Sequence, residues 1–271
     1  MDKDASKQNF SSIDKLRQIM ARLRDPVHGC EWDVAQNFSS IAPFAVEEAY
    51  EVVDAIEQQD MEELKNELGD LLLQVVFHSQ MASEENLFTF DDVADAICEK
   101  MIRRHPHVFK DNDADTTSAY IADNWERIKA TERSKKKSND SGTLAGIAKS
   151  LPALTRARKI QERAARTGFD WSDTAGPRAK IDEELAEVDN ATDRENLIEE
   201  IGDVLFTVTT FARHHGIDAE QALKISNEKF ESRFKTMENI AGGDISPLSL
   251  PEKEDLWIAA KKHEKSMKSD K

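Results

Sequence analysis

The residues best placed to do chemistry form an acidic pattern that occurs once in each half of the chain. Glu47, Glu48 and Glu51 are followed by Glu67 and Asp70, and Glu183, Glu184 and Glu187 are followed by Glu200 and Asp203. Residues three or four apart share one face of an α-helix. Glu48 and Glu51 therefore point one way on one helix, and Glu67 and Asp70 point one way on the next. The turn near residues 58 to 60 is short enough to make these helices antiparallel neighbours, so Glu48, Glu51, Glu67 and Asp70 converge. Glu184, Glu187, Glu200 and Asp203 do the same in the second half, with Glu47 and Glu183 one residue outside each quartet. Such groups cannot all stay ionised at close range without a cation, because desolvation and neighbouring negative charge both raise a carboxyl pKa. The donors are all hard oxygens, without histidine or thiolate, which favours Mg2+ or Mn2+ over zinc, copper or iron. The Glu-x-x-His spacing that helical di-iron proteins need occurs nowhere in the chain.

The bland alternative for any one acidic pair is a solvated helix face. Two features weigh against it. Apolar stretches adjoin both patterns, Leu68 with Leu71 to Leu73 and Ile201 with Val204 to Phe206, so Asp70 and Asp203 are expected where a helix turns toward the core. Gly69 and Gly202 also sit mid-helix, where glycine costs roughly 0.5–1 kcal/mol relative to alanine. They read equally as tight helix packing or as room for a cation-bound phosphate. Lys229 and Arg233, four apart on the helix after the second pattern, are placed to meet phosphate oxygens. Lys100 and Arg104 are their first-half counterparts, although His105-Pro106-His107 ends that helix at once. Ordinary pairing with surface glutamates is the alternative for all of these cations.

The elements that must carry these residues are helices. Periodicity places them at about 12 to 24, 39 to 58, 61 to 84, 91 to 105 and 117 to 134, then 150 to 167, 177 to 190, 193 to 215, 218 to 240 and 251 to 266. Start signals stand at Asp60 with Glu63, Thr192 with Glu195 and Asp218 with Gln221. No strand emerges, so the fold class is all-α. The halves repeat four landmarks in order: Gly29 to Trp32 with Gly168 to Trp171, the two acidic patterns, and Lys100 and Arg104 with Lys229 and Arg233. A duplicated helical module explains that order. The polar stretch from Ser134 to Gly146 lies between the copies, giving modules at 1–135 and 150–271 joined by a linker at 136–149.

Composition sets the class of partner. A formal charge of −16 over 271 residues argues against a nucleic acid polymer, whose binding draws on lysine and arginine meeting phosphates. It leaves open a small polyphosphate bridged by divalent cations. With 39% apolar and 33% charged residues and no long apolar run, neither disorder nor a membrane span is expected. The first ten residues lack a secretory pattern, and Cys30 and Cys98 are isolated, so a reduced cytoplasmic protein is expected. No GxxxxGK[ST] or GxGxxG is present. His105 with His107 and His214 with His215 are read as helix terminators, Trp32 and Trp171 as packing residues in preference to base-stacking ones, and Trp257 as core or as a cap on a nucleobase.

The ordered set EExxE, then ExGD, then a helix carrying lysine and arginine resembles the MazG family of all-α nucleoside triphosphate pyrophosphohydrolases. RLRDPVHGCEWD, SIAPFAVEEAYEVVDAI, ELGDLLLQVVFHSQMA, RRHPHVF, SLPALTRARKIQ and NEKFESRF carry the likeness across about residues 12 to 265. It implies two tandem MazG-type helical-bundle modules that form a homodimer, bind Mg2+ (or Mn2+), and cleave nucleoside triphosphates, ATP among them, to the monophosphate and pyrophosphate. Carried onto this chain, the metal ligands are Glu184, Glu187, Glu200 and Asp203, with Glu183 beside them as a candidate proton acceptor. Nucleotide contacts fall on Lys180, Ile181, Asp182, Glu183, Glu184 and Asp203, on Lys229, Phe230, Glu231, Ser232 and Arg233, and on Trp257. A possible second site comprises Glu47, Glu48, Glu51, Glu67, Asp70, Lys100 and Arg104. There Ile102 stands where the second half has Glu231, and Arg103 where it has Ser232, so the second half is expected to be the principal active site. The rival readings are a nucleotide-sensing or dimerisation scaffold without turnover, and a diphosphatase narrow for one deoxynucleotide.

Overall fold

A computed structural model of the chain describes residues 11–109 and 142–269, together with residues 125, 127, 128 and 132. Among the described residues the regular structure is helical, with no strand, and no helix is long and apolar enough to cross a membrane. The chain divides into two compact units, Met1–Lys129 and Ala130–Lys271. The first carries α1 (Ser12–Leu23), α2 (Glu31–Ala35), α3 (Phe38–Gln58), α4 (Met61–Glu84), α5 (Phe90–Arg104) and α6 (Pro106–Phe109). The second carries α7 (Ala153–Ala165), α8 (Ala175–Asp189), α9 (Arg194–His214), α10 (Ala219–Ala241) and α11 (Leu250–Ser269).

In the first unit α3 and α4 form the hairpin required by the acidic pattern. The Gln59 backbone turns left-handed at φ 58°, and the Asp60 carboxylate accepts from the backbone N–H of Glu62 and Glu63 to start α4. On the inner side of α4, Val76, Phe77 and Met81 are buried with Met20 of α1 and Ile41 of α3, with Phe90 of α5 packed beside them. Arg24 holds the loop after α1: its guanidinium pairs with Glu84 at 2.7 Å and donates to the carbonyls of Asp33 and Gln36.

In the second unit α8 and α9 make the equivalent hairpin, and α10 and α11 make another around Met237, Ile245 and Ala260. Helix α7 lies against α9 and α10. The side of α9 facing α7 is polar. Thr209 and Thr210 are buried with their hydroxyls donating to the Leu205 and Phe206 carbonyls one turn back, and Gln161 of α7 donates to the same Phe206 carbonyl at 2.9 Å. These bonds satisfy the buried hydroxyls without interrupting the helix.

Helix α9 starts one residue later than the Thr192 signal suggests. Asp193 is the N-cap, accepting from the Asn196 backbone N–H at 2.9 Å, because its carboxylate reaches the third helical residue. Helices α2 and α6 were not foreseen, having too few residues to display a helical period. The helix expected at 117 to 134 lies outside the described residues except at 125, 127, 128 and 132, as do residues 136–141 of the expected linker; residues 142–149 form bends, turns and irregular backbone.

Since a side chain with Cβ at positive φ is strained, Gln59→Gly relieves the α3–α4 turn. It is expected to stabilise the first unit by about 0.5–1 kcal/mol, read as a higher urea midpoint at unchanged m-value.

Candidate active site

The α8–α9 hairpin brings Glu184, Glu187 and Glu200 together, each with a carboxylate oxygen within 4.8 Å of the others. Glu184 is 4% exposed. One of its oxygens lies 3.0 Å from the Lys180 ammonium, which also meets Glu183 at 2.7 Å. The other oxygen, Oε2, is buried without a hydrogen-bond partner among the described residues, a state that costs free energy unless something positive approaches. The Glu187 carboxyl is raised above the usual range, first because it shares a hydrogen bond with Glu184, then by desolvation and the charges of Glu184 and Glu200, with Lys180 opposing. The Lys180 ammonium is held more firmly protonated by its bonds to Glu183 and Glu184. A hard divalent cation fits this donor set: oxygens only, one of them orphaned, and too little positive charge nearby to neutralise the group.

The α3–α4 hairpin gathers a slightly different trio, Glu48, Glu67 and Asp70, under the same 4.8 Å limit. Desolvation pushes Glu67 up to about 7, reinforced by the Glu51 charge, a hydrogen bond with Glu63 and the charges of Glu63 and Asp70. Glu48 is raised by burial and then by Asp70 and Glu51. Glu51 lies outside this trio and Asp203 outside the other, so each hairpin assembles three members of its expected quartet and leaves out a different one. Both Asp70 and Asp203 are exposed rather than turned into the core. Three residues before each pattern stands Lys180 in the second half and Phe44 in the first.

A Cβ added to Gly69 or Gly202 would meet nothing within 4 Å, so neither is needed for packing inside its own unit, and each leaves an open face beside the carboxylates. Close packing instead requires Gly176, where a Cβ would lie 2.0 Å from the Trp171 ring. Trp171 therefore packs on the start of α8, while Trp32 packs edge-on against Phe44 at 6.2 Å.

The basic and aromatic candidates gather on α10 and α11. Arg233 pairs with Glu264 at 2.7 Å and lies 5.6 Å over the Trp257 ring. Phe230 sits 5.3 Å from Trp257, which packs on the small α10–α11 core. Lys229, Glu231 and Ser232 are exposed. At the other end of the pattern, Ile181 is half-buried and exposed Asp182 pairs with Arg178. In the first half Lys100 and Arg104 are half-buried and Glu47 is exposed. His105 caps α5 and His215 caps α9, as expected of helix terminators, but His107 lies inside α6.

Two arrangements escaped the sequence reading. Asp170 pairs with Arg213 at 2.6 Å and with His214 at 2.9 Å, tying the loop before α8 to the end of α9. Arg213, then His214, holds the Asp170 carboxyl well below the usual range. Asn196 donates to Glu200 at 2.8 Å; its spacing four residues before that glutamate was the available signal.

Residues 36–109 and 179–237 match the MazG nucleotide pyrophosphohydrolase domain. Both acidic patterns fall inside these segments, and Trp257 outside. The chain is 48% identical over 264 residues to a nucleoside triphosphate pyrophosphohydrolase of Escherichia coli K12, covering 94% of this chain and 99% of that protein. It is 43% identical over 252 residues to the nucleoside triphosphate pyrophosphohydrolase/pyrophosphatase MazG of Thermotoga maritima, covering 92% and 95%. A nucleoside triphosphate pyrophosphohydrolase of Mycobacterium tuberculosis is 32% identical over 241 residues, covering 84% of this chain and 62% of that protein.

A carboxyl whose pKa rises on folding binds more protons in the folded state, so stability falls as pH rises from its unfolded value near 4.5 to its folded value near 7. Without divalent cations, Glu67→Gln is therefore expected to raise the Tm of the first unit at pH 8 and to leave it nearly unchanged at pH 4.5. Calorimetry at the two pH values checks this.

Proposed function

The chain belongs to the MazG family of nucleotide pyrophosphohydrolases, and on that premise we propose that it hydrolyses nucleoside triphosphates to the monophosphate and pyrophosphate at the α8–α9 carboxylates. The observation that carries this assignment is the buried, partnerless Oε2 of Glu184 among the three clustered glutamates. Glu184, Glu187, Glu200 and Asp203 hold Mg2+, with Mn2+ able to replace it. Asp203 lies three residues after Glu200 on α9, on the same helical face. When bound, the cation neutralises the triphosphate and stabilises charge on the departing pyrophosphate.

The chain's own groups do the rest. Lys180, already between Glu183 and Glu184, meets a phosphate oxygen once Glu184 is otherwise engaged. Glu183 takes the proton of the attacking water as its oxygen bonds to the α phosphorus, and the bond to the bridging oxygen breaks to release pyrophosphate. Residues Lys180 to Glu184, Lys229 to Arg233 and Trp257 contact the nucleotide, with the neighbouring Phe230 and Trp257 rings offering a base an aromatic face.

The modules are 1–135 and 150–271, the second principal in catalysis. The first, with Phe44 in place of a lysine and Glu67 raised to about 7, is a weaker or regulatory site. The chain acts as a homodimer on the cytoplasmic nucleotide pool, not on nucleic acid polymers. Ile198 (62% exposed), Leu205 (52%) and Ile201 (46%) leave an apolar face of α9 bare, as a surface awaiting a second copy does.

Pyrophosphate release from mixed nucleoside triphosphates with Mg2+ tests the assignment. Glu184→Ala with Asp203→Ala is expected to lower kcat/KM by ~100-fold or more, whereas Glu48→Ala with Asp70→Ala retains most of it. Loss confined to the second pair would move catalysis to the first module, and no pyrophosphate from the intact chain would favour the sensing scaffold.

A further inference from the structure

Asn196 lies in the first turn of α9 and is half-buried. Its backbone N–H donates to the Asp193 cap at 2.9 Å, and its side-chain oxygen accepts from the Thr192 backbone N–H at 3.2 Å. The Thr192 bond fixes the amide: a flipped group would set NH2 against N–H. The amide nitrogen then faces down the helix and donates to Glu200 Oε1 at 2.8 Å. That bond occupies one Glu200 oxygen with a donor that carries no charge, restrains the side chain, and leaves the second oxygen for a cation. Residues that orient metal ligands in this way typically change metal affinity by ~10–100-fold when lost.

The first half makes no such provision. Four residues before Glu67 stands Glu63, whose carboxyl reaches Glu67 and accepts from Asn66 at 3.2 Å. An ionised carboxylate only accepts hydrogen bonds, so Glu63 cannot support an ionised Glu67 as the Asn196 amide supports Glu200. We propose that Asn196 is the positioning residue that fixes Glu200 for the cation, and that Glu63 in the corresponding place leaves the first-half cluster the weaker cation site. This rests on the reading of Glu200 as a ligand.

The test uses the full-length chain and Mn2+ alone, with free Mn2+ followed by its paramagnetic resonance signal. Asn196→Asp keeps the size and the acceptor for Thr192 but removes the donor, and an acidic residue is favourable in a first helical turn. It is expected to weaken the tighter Mn2+ sites about 10-fold and to raise by the same factor the Mn2+ concentration giving half-maximal pyrophosphate release. The far-UV circular dichroism of the metal-free protein stays the same, which separates positioning from loss of the helix. Glu63→Asn is expected to tighten the weaker sites. Unchanged Mn2+ affinity in Asn196→Asp, with Glu200→Gln still losing the tight sites, overturns the role of Asn196 alone. Tight sites surviving Glu200→Gln overturn the ligand reading as well, and weaker sites unaffected by Glu63→Asn overturn the contrast between the halves.

Discussion

The repulsion among clustered carboxylates is the constraint on which the rest of the structure turns. Antiparallel hairpins place Glu184, Glu187 and Glu200 within 4.8 Å of one another, and Glu48, Glu67 and Asp70 likewise. The neighbouring carboxylates and desolvation together raise Glu187 in the second unit and Glu48 and Glu67 in the first. Nothing in a helical hairpin demands such crowding; residues of the opposite sign would stabilise it better. The fold carries this unfavourable electrostatic arrangement on helices anchored elsewhere, by the Met20–Phe77 core in the first unit and by the buried threonines of α9 in the second.

The two halves handle the same repulsion differently. In the second, Lys180 offsets Glu184 and Glu183, and Asn196 supports Glu200. In the first, Phe44 and Glu63 occupy the matching positions, and Glu67 is driven up to about 7. Similar backbones therefore hold carboxylate clusters of different electrostatic character, and they differ both in the trio brought together and in the residues beside it. The loops entering the hairpins differ in the same manner: Arg24 reaches Glu84 in the first unit, whereas Asp170 reaches Arg213 and His214 in the second.

Much of this was legible because helices advertise themselves locally. The α4 boundaries follow from the Asp60 cap and its apolar period, and the convergence of Glu184 with Glu200 follows from helical spacing and a short turn. What escaped depends on contacts between residues distant in sequence. No local rule pairs Asp170 with Arg213, distinguishes the burial of Glu184 from the exposure of Asp203, or shows that the Gly202 face is open while Gly176 is pressed against Trp171. The spacing of Arg233 to Lys229 likewise says nothing of Glu264, its neighbour across the hairpin. The Asn196 donor was legible in principle, but it becomes informative only once the Thr192 contact fixes which way its amide faces.

The central claim is that these glutamates are crowded because a divalent cation belongs among them. The most direct measurement is anomalous diffraction from crystals of the full-length chain grown with Mn2+. The account predicts a strong anomalous peak bonded to oxygens of Glu184, Glu187, Glu200 and Asp203. Ordered carboxylates around a space with no anomalous density, at Mn2+ concentrations that support pyrophosphate release, would contradict it.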